Sequence, residues 1–168
     1  MVAPGVKELL LLSLEHGRGG VLVVRSARAC TEDERLCAEF DAYFEQTMNH
    51  VEVLTRVCEE LGLDPDETTP GCEIVREADR ALVQAISRAR AEGDPVVAER
   101  VACYSVVLAE TRDHANWELI GACGEELDGE VGDVLREAYE EIDDEDVVNE
   151  EEPEEEDEET GSQRSSVG

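Results

Sequence analysis

Residues 40–62 read FDAYFEQTMNHVEVLTRVCEELG, and their periodicity decides the fold class. Phe40, Phe44, Thr47, Val51, Leu54, Cys58 and Leu61 recur at intervals of three and four, which lines one side of an α-helix. Gly62 follows at the position where a helix commonly closes in a left-handed turn. Upstream, CTEDE at 30–34 places Thr31 three residues before Glu34, so a capping box is predicted to start this helix there.

The same punctuation organises the neighbouring segments. Residues 6–30 carry the stripe Leu11, Glu15, Arg18, Leu22 and Ala29 and are predicted to form a first helix. Gly17, Gly19 and Gly20 weaken that helix by up to ~1 kcal/mol each, so a neighbour is expected to pack closely on the bare patch. LDPDETTPG at 63–71 interrupts the pattern, and Thr69-Pro70 opens a third helix to about Ala91 with Ile74, Ala78, Leu82, Ala85 and Ala89 inward. Asp94-Pro95 opens a fourth to about Glu125, apolar nearly all round and therefore expected to be the most buried. A short fifth, about 130–142, carries Val134, Leu135, Ala138 and Ile142. No segment has the two-residue period of a strand, so an all-α fold is predicted.

Charge is unevenly distributed. The 168 residues hold 44 acids against 14 bases, a net charge of −30. Fifteen of those acids fall between Glu140 and Glu159, while the chain before residue 140 still carries 29 acids against 13 bases, or −16. The segment from Asp143 onward is expected to be a disordered acidic tail, since it has too few apolar groups to offset chain entropy. Residues 1–142 are then one helical domain. Such acidity disfavours phosphate contacts and hence nucleic-acid binding. With one lysine and thirteen arginines, it suits a high-salt cytoplasm or a GC-rich genome. The six cysteines form no Cys-x-x-Cys pair and read as small apolar groups in a reducing cytosol. The apolar run VKELLLLSL is broken by Glu15, His16, Arg18 and three glycines before it can span a bilayer, so a cytoplasmic protein without membrane association is expected.

Chemistry concentrates in AETRDHANWE, residues 109–118, where Glu110, His114 and Glu118 stand four apart on one helical face. That spacing suits a metal site, a proton relay or an ordinary polar seam. An echo, QTMNH at 46–50 against ETRDH at 110–114, suggests an internal duplication in which helices one and two correspond to three and four. It would bring His50 and His114 toward one centre. His16 lies off the inward sector of the first helix and is expected at an edge. Glu45 should face solvent, Trp117 should anchor the core or an interface, and Tyr104 is expected to fill the core.

These residues resemble the ferritin-like superfamily, in particular a group of bacterial ferritin-like domain proteins. The matching segments are LEHGRGG (14–20), FEQTMNHVEVL (44–54), LGLDP (61–65), GDP (93–95) and VVLAETRDHANWELIG (106–121), within about residues 8–142. The resemblance implies a four-helix bundle, an iron or manganese site with one or two ions, oxidation or peroxide-type chemistry, and a homo-oligomer. The positions it implies as ligands are Glu15, His50, Glu110, His114 and Glu118, with Glu77 as the best-placed acid of the third helix. The chain departs from the family pattern in lacking Glu-x-x-His, with Ser13, Thr47 and Thr111 three residues before its histidines. Leu22 and Met48 stand where relatives carry acids, and Val147 and Val148 where they carry a histidine-rich segment. A dinuclear site needs about four carboxylates and two histidines, so the alternative is a bundle that has lost its metal and serves as an interaction or assembly module. The link 62–69 is short for a ferritin-type crossover and allows simple up-down order.

Overall fold

The structure is a computed structural model that describes the backbone of residues 1–150 and the side chains of residues 1–145. Five helices, α1 (Pro4–Arg28), α2 (Glu34–Glu60), α3 (Pro70–Ala91), α4 (Pro95–Glu126) and α5 (Glu130–Glu150), make up an all-α fold. Their starts follow local chemistry. Prolines occupy the first turns of α1, α3 and α4, where a missing N–H costs nothing. Thr69 and Asp94 accept hydrogen bonds from the exposed amides of Cys72 and of Val96 and Val97. For α2 the cap is Asp33, which accepts from the Leu36 amide, and not Thr31. Thr31 is engaged elsewhere: it accepts from the Asp33 amide and donates to Glu99, tying the α1–α2 turn to α4. Gly62 closes α2 with φ 70°, a conformation that glycine adopts without steric cost.

Helix α1 is central, packing against α2, α3 and α4, while α5 lies against α4 and touches α2. Paired contacts set the directions. Glu8 accepts from Gly71 and Thr69, Arg76 donates to Glu15, and His16 meets Asp79, so α1 and α3 run parallel. Arg28–Asp41 at one end and Gly17 against Val51 nearer the middle make α2 antiparallel to α1. His50 beside Asp113 and Thr31 beside Glu99 align α4 with α2. The order is therefore up-down-up-down through the nine-residue link 61–69.

Two apolar clusters fill the interior. One joins Leu10, Leu11 and Leu14 of α1 with Leu54 and Val57 of α2, Trp117 and Ile120 of α4, and Leu135, Ala138 and Ile142 of α5. The other joins Val23, Val24 and Ala27 with Phe40, Ile86, Ala102 and Val106. Each fully buried leucine or isoleucine contributes roughly 1.5–3 kcal/mol. Gly17, Gly19 and Gly20 of α1 do permit close approach: a Cβ on Gly17 would lie 2.9 Å from Val51 Cγ2, and one on Gly19 would fall on the Asp79 carboxylate.

Several expectations are corrected. On α3 the buried residues are Cys72, Asp79, Ile86 and Ala89, whereas Ile74 is 72% exposed. Helix α4 is not enclosed, because α1, α3 and α5 cover only part of it, and Tyr104 is 65% exposed rather than in the core. Helix α5 continues to Glu150, eight residues beyond the expected end. Its later turns are held by side chains of α2: Arg56 pairs with Glu141, and Asn49 donates to Glu145. Residues 151–168, most of the expected tail, lie outside the described residues.

Candidate functional site

The ionisable groups of the polar interior form two histidine–aspartate pairs, with Ser13, Thr47 and Ser105 also buried. His16 of α1 places Nδ1 3.0 Å from Asp79 Oδ2 of α3, and His50 of α2 places Nδ1 2.6 Å from Asp113 Oδ2 of α4. Each histidine precedes its partner by 63 residues, and each pair joins the hairpin of α1 and α2 to that of α3 and α4. All four residues are buried.

The surroundings of His16 define its protonation. Its Nε2 lies 2.8 Å from the backbone oxygen of Ala109 on α4, and a carbonyl can only accept, so Nε2 carries a proton. With Asp79 ionised, Nδ1 in turn donates to its carboxylate, and the ring held this way is an imidazolium. Burial is the strongest single influence on this ring and lowers its pKa. The hydrogen bond and charge of Asp79, the Ala109 carbonyl and the charge of Asp113 together outweigh it, leaving the pKa above 6.5. Arg112 of α4 donates to the other oxygen of Asp79 at 3.0 Å. Three helices are thereby joined through one carboxylate. The second pair is bounded by Trp117, whose ring stands edge-on to His50 with centroids 5.4 Å apart.

The residues singled out from the sequence are dispersed around this seam. His50 is inside it, and its partner Asp113 directly precedes the histidine that the sequence echo had matched to it. His114 instead points outward, 74% exposed, paired with Glu118 at 3.2 Å, itself exposed. Glu77 is exposed and bound to Arg80 of its own helix. Glu15 accepts from Arg76 at 2.8 Å on the rim of a cleft between α1 and α3. Glu110 is half-buried on α4 near Tyr43, whose phenol is pushed up by burial and by the charges of Glu110 and Glu39. Sequence reasoning missed His16, expected at an edge, and Asp79, Arg112 and Asp113.

This arrangement does not fit a dinuclear metal centre. Such a centre needs several carboxylates converging with two histidines in one dry cavity. Among the described residues the buried acids are Asp79 and Asp113, each committed to one histidine, and both ring nitrogens of His16 are engaged in hydrogen bonds. Among the described residues, no three His, Cys, Asp or Glu side chains come together as a metal would require. The cysteines add no donor set: Cys58 is buried and its thiol is pushed up to about 11 by desolvation.

The cleft between α1 and α3 has a volume of about 340 Å³ and is walled by Leu22, Val83 and the stems of arginines. Its charged heads are engaged by acids, Arg18 by Asp66, Arg76 by Glu15 and Arg80 by Glu77. None of the helices among the described residues is long and apolar enough to cross a membrane. No protein-family model, curated protein or solved structure matches the chain.

Proposed function

We propose that the chain is a ferritin-like four-helix bundle, extended by α5, that works without a resident redox metal as an interaction or assembly module. The observation that supports this reading most is the commitment of the interior histidines. His16 and His50 are each turned onto an aspartate, and the imidazolium form of His16 has no lone pair to offer a cation. A buried polar seam of paired histidines and aspartates fixes how helices align, because a slip of one position would leave a charge unpaired in the core.

The seam holds α1 against α3 and α4, and α2 against α4, leaving the outer surfaces of the helices available for partners. Cytoplasmic residence and homo-oligomeric assembly accord with this reading. Metal binding retains one foothold, the exposed His114–Glu118 pair, whose two donors one turn apart suit a weak surface site for a divalent cation.

The test is elemental analysis of chelator-free, untagged protein, followed by thermal unfolding with iron(II) or manganese(II) added under anaerobic conditions. The expected result is substoichiometric metal and an unchanged melting temperature. A tightly bound metal present at a thousandfold over its Kd would stabilise the fold by about 4 kcal/mol. Stoichiometric metal with such a shift, abolished by His50→Ala or Glu110→Gln, would restore the redox reading.

A further inference from the structure

The outer face of α4 carries an apolar strip that neither α3 nor α5 covers. Val97, Tyr104 and Thr111, and Leu108, Ala115 and Ala122, recur at seven-residue periodicity, flanked by Val107 and Leu119, with Val101 half-buried at the edge against the second interior cluster. Tyr104 is 65%, Val107 59% and Leu119 55% exposed. The opposite side of the helix, through Ala102, Val106, Ala109, Asp113 and Trp117, is buried. Helix α4 is therefore amphipathic only against its surroundings: its sequence is apolar on two sides, and one fold accounts for one of them.

We propose that this strip is the interface between two copies of the chain, docked through antiparallel α4 helices about a two-fold axis near residue 109. Charge identifies the occupant. The charged residues on the strip are Arg100 and Glu118, each nine positions from residue 109. Antiparallel pairing about that point sets Arg100 of each copy beside Glu118 of the other, twice, as an isologous interface demands. Side-chain size agrees with the same axis. Tyr104 of one copy comes opposite residues 114–115 of the other, where Ala115 leaves room, Val107 opposite Thr111, and Val97 opposite Gly121 and Ala122. The chain's own remaining segment is a poor occupant. Beyond residue 145 its large apolar residues are Val147, Val148 and Val167, too few and too far apart in sequence to match a strip of this length.

From 97 to 122 the strip is about 38 Å long and one helix wide. That is small for a specific interface, so the expected dimer is a micromolar one. Each copy is strongly negative, and their mutual repulsion is screened by salt. Association should therefore tighten from 0.05 to 1 M sodium chloride, both concentrations being chosen to span the screening range. The inference rests on the assembly reading above, yet the two fail separately: a monomer that holds no metal would overturn only the interface.

The experiment is sedimentation velocity on the full chain over a concentration series at both salt concentrations, with circular dichroism confirming that each variant is folded. The wild type is expected to dimerise. Tyr104→Glu should weaken dimerisation about tenfold or more, as loss of a central aromatic anchor does. Arg100→Glu and Glu118→Arg should each weaken it, and the double exchange should restore it. A chain monomeric throughout would overturn the proposal, as would a dimer indifferent to Tyr104→Glu. Failure of the double exchange to restore what each single change removes would overturn the antiparallel pairing.

Discussion

Two histidines with acidic neighbours, one on each side of α4, behave in opposite ways. His50 is held inside by Asp113, while His114, the next residue along from that aspartate, stands in solvent beside Glu118. One residue is 100° on a helix, enough to carry a side chain from the core to the surface. The inner pair is desolvated, so the loss of either partner strands a polar or charged group in the interior. In the single chain the outer pair is surrounded by water, which screens it to a few tenths of a kcal/mol. Equal chemistry on paper is thus unequal in energy, and burial supplies the difference.

The largest effect should come from breaking the inner pairs. Asp79→Ala removes the acceptor shared by His16 and Arg112, and a cost of about 3–5 kcal/mol in urea unfolding is expected. Asp113→Ala should approach it. A loss below about 1 kcal/mol for both would mean that the interior is wet and the seam unimportant.

Next comes the close approach that accommodates the seam. Gly19→Ala would push a methyl group into Asp79 at a site with no slack, for a net loss of about 1–3 kcal/mol despite alanine's better helix propensity. Equilibrium unfolding of this variant beside Gly5→Ala, where a Cβ meets nothing, separates crowding from propensity.

The pH dependence is smaller and has a definite sign. The folded state raises the pKa of His16, so its contribution is fully present below the unfolded value of about 6.5 and declines as pH rises through the folded value. Wild-type stability should fall over that alkaline window relative to His16→Gln. A parallel pair of pH profiles would contradict the imidazolium assignment. The smallest effect belongs to the outer pair: His114→Ala should change stability by no more than about 0.5 kcal/mol.

How much of this was legible in the sequence depends on how many neighbours each helix has. Helix α2 and helix α5 bury one side each, and their stripes, Phe40 to Cys58 and Val134 to Ile142, are plain in the periodicity. The caps at Thr69 and Asp94 and the closing glycine at 62 were equally readable, because those signals are local. Helix α1 was not. It is enclosed by α2, α3 and α4, so its buried sector includes His16, which a single stripe through Leu11 and Leu22 places at the margin.

Helix α3 was misread for a related reason. Ranking by apolarity turned Ile74 inward, whereas the side that faces α1 and α4 carries the polar Asp79, chosen by its partners rather than by hydropathy. The echo between residues 46–50 and 110–114 aligned histidine with histidine. Packing aligns His50 with Asp113, one position earlier, a register that no count of similar letters reveals. The apolarity of α4 was read as depth, though half of it is surface.

The most direct test of the central claim, that the interior histidines are clamps rather than ligands, is ¹⁵N NMR of the histidine rings at neutral pH, with and without manganese(II). The expected spectrum shows His16 protonated at both nitrogens, His16 and His50 unaffected by the metal, and any response confined to His114. A neutral His16 with one bare nitrogen, or stoichiometric broadening of His16 and His50 ahead of His114, would contradict the account.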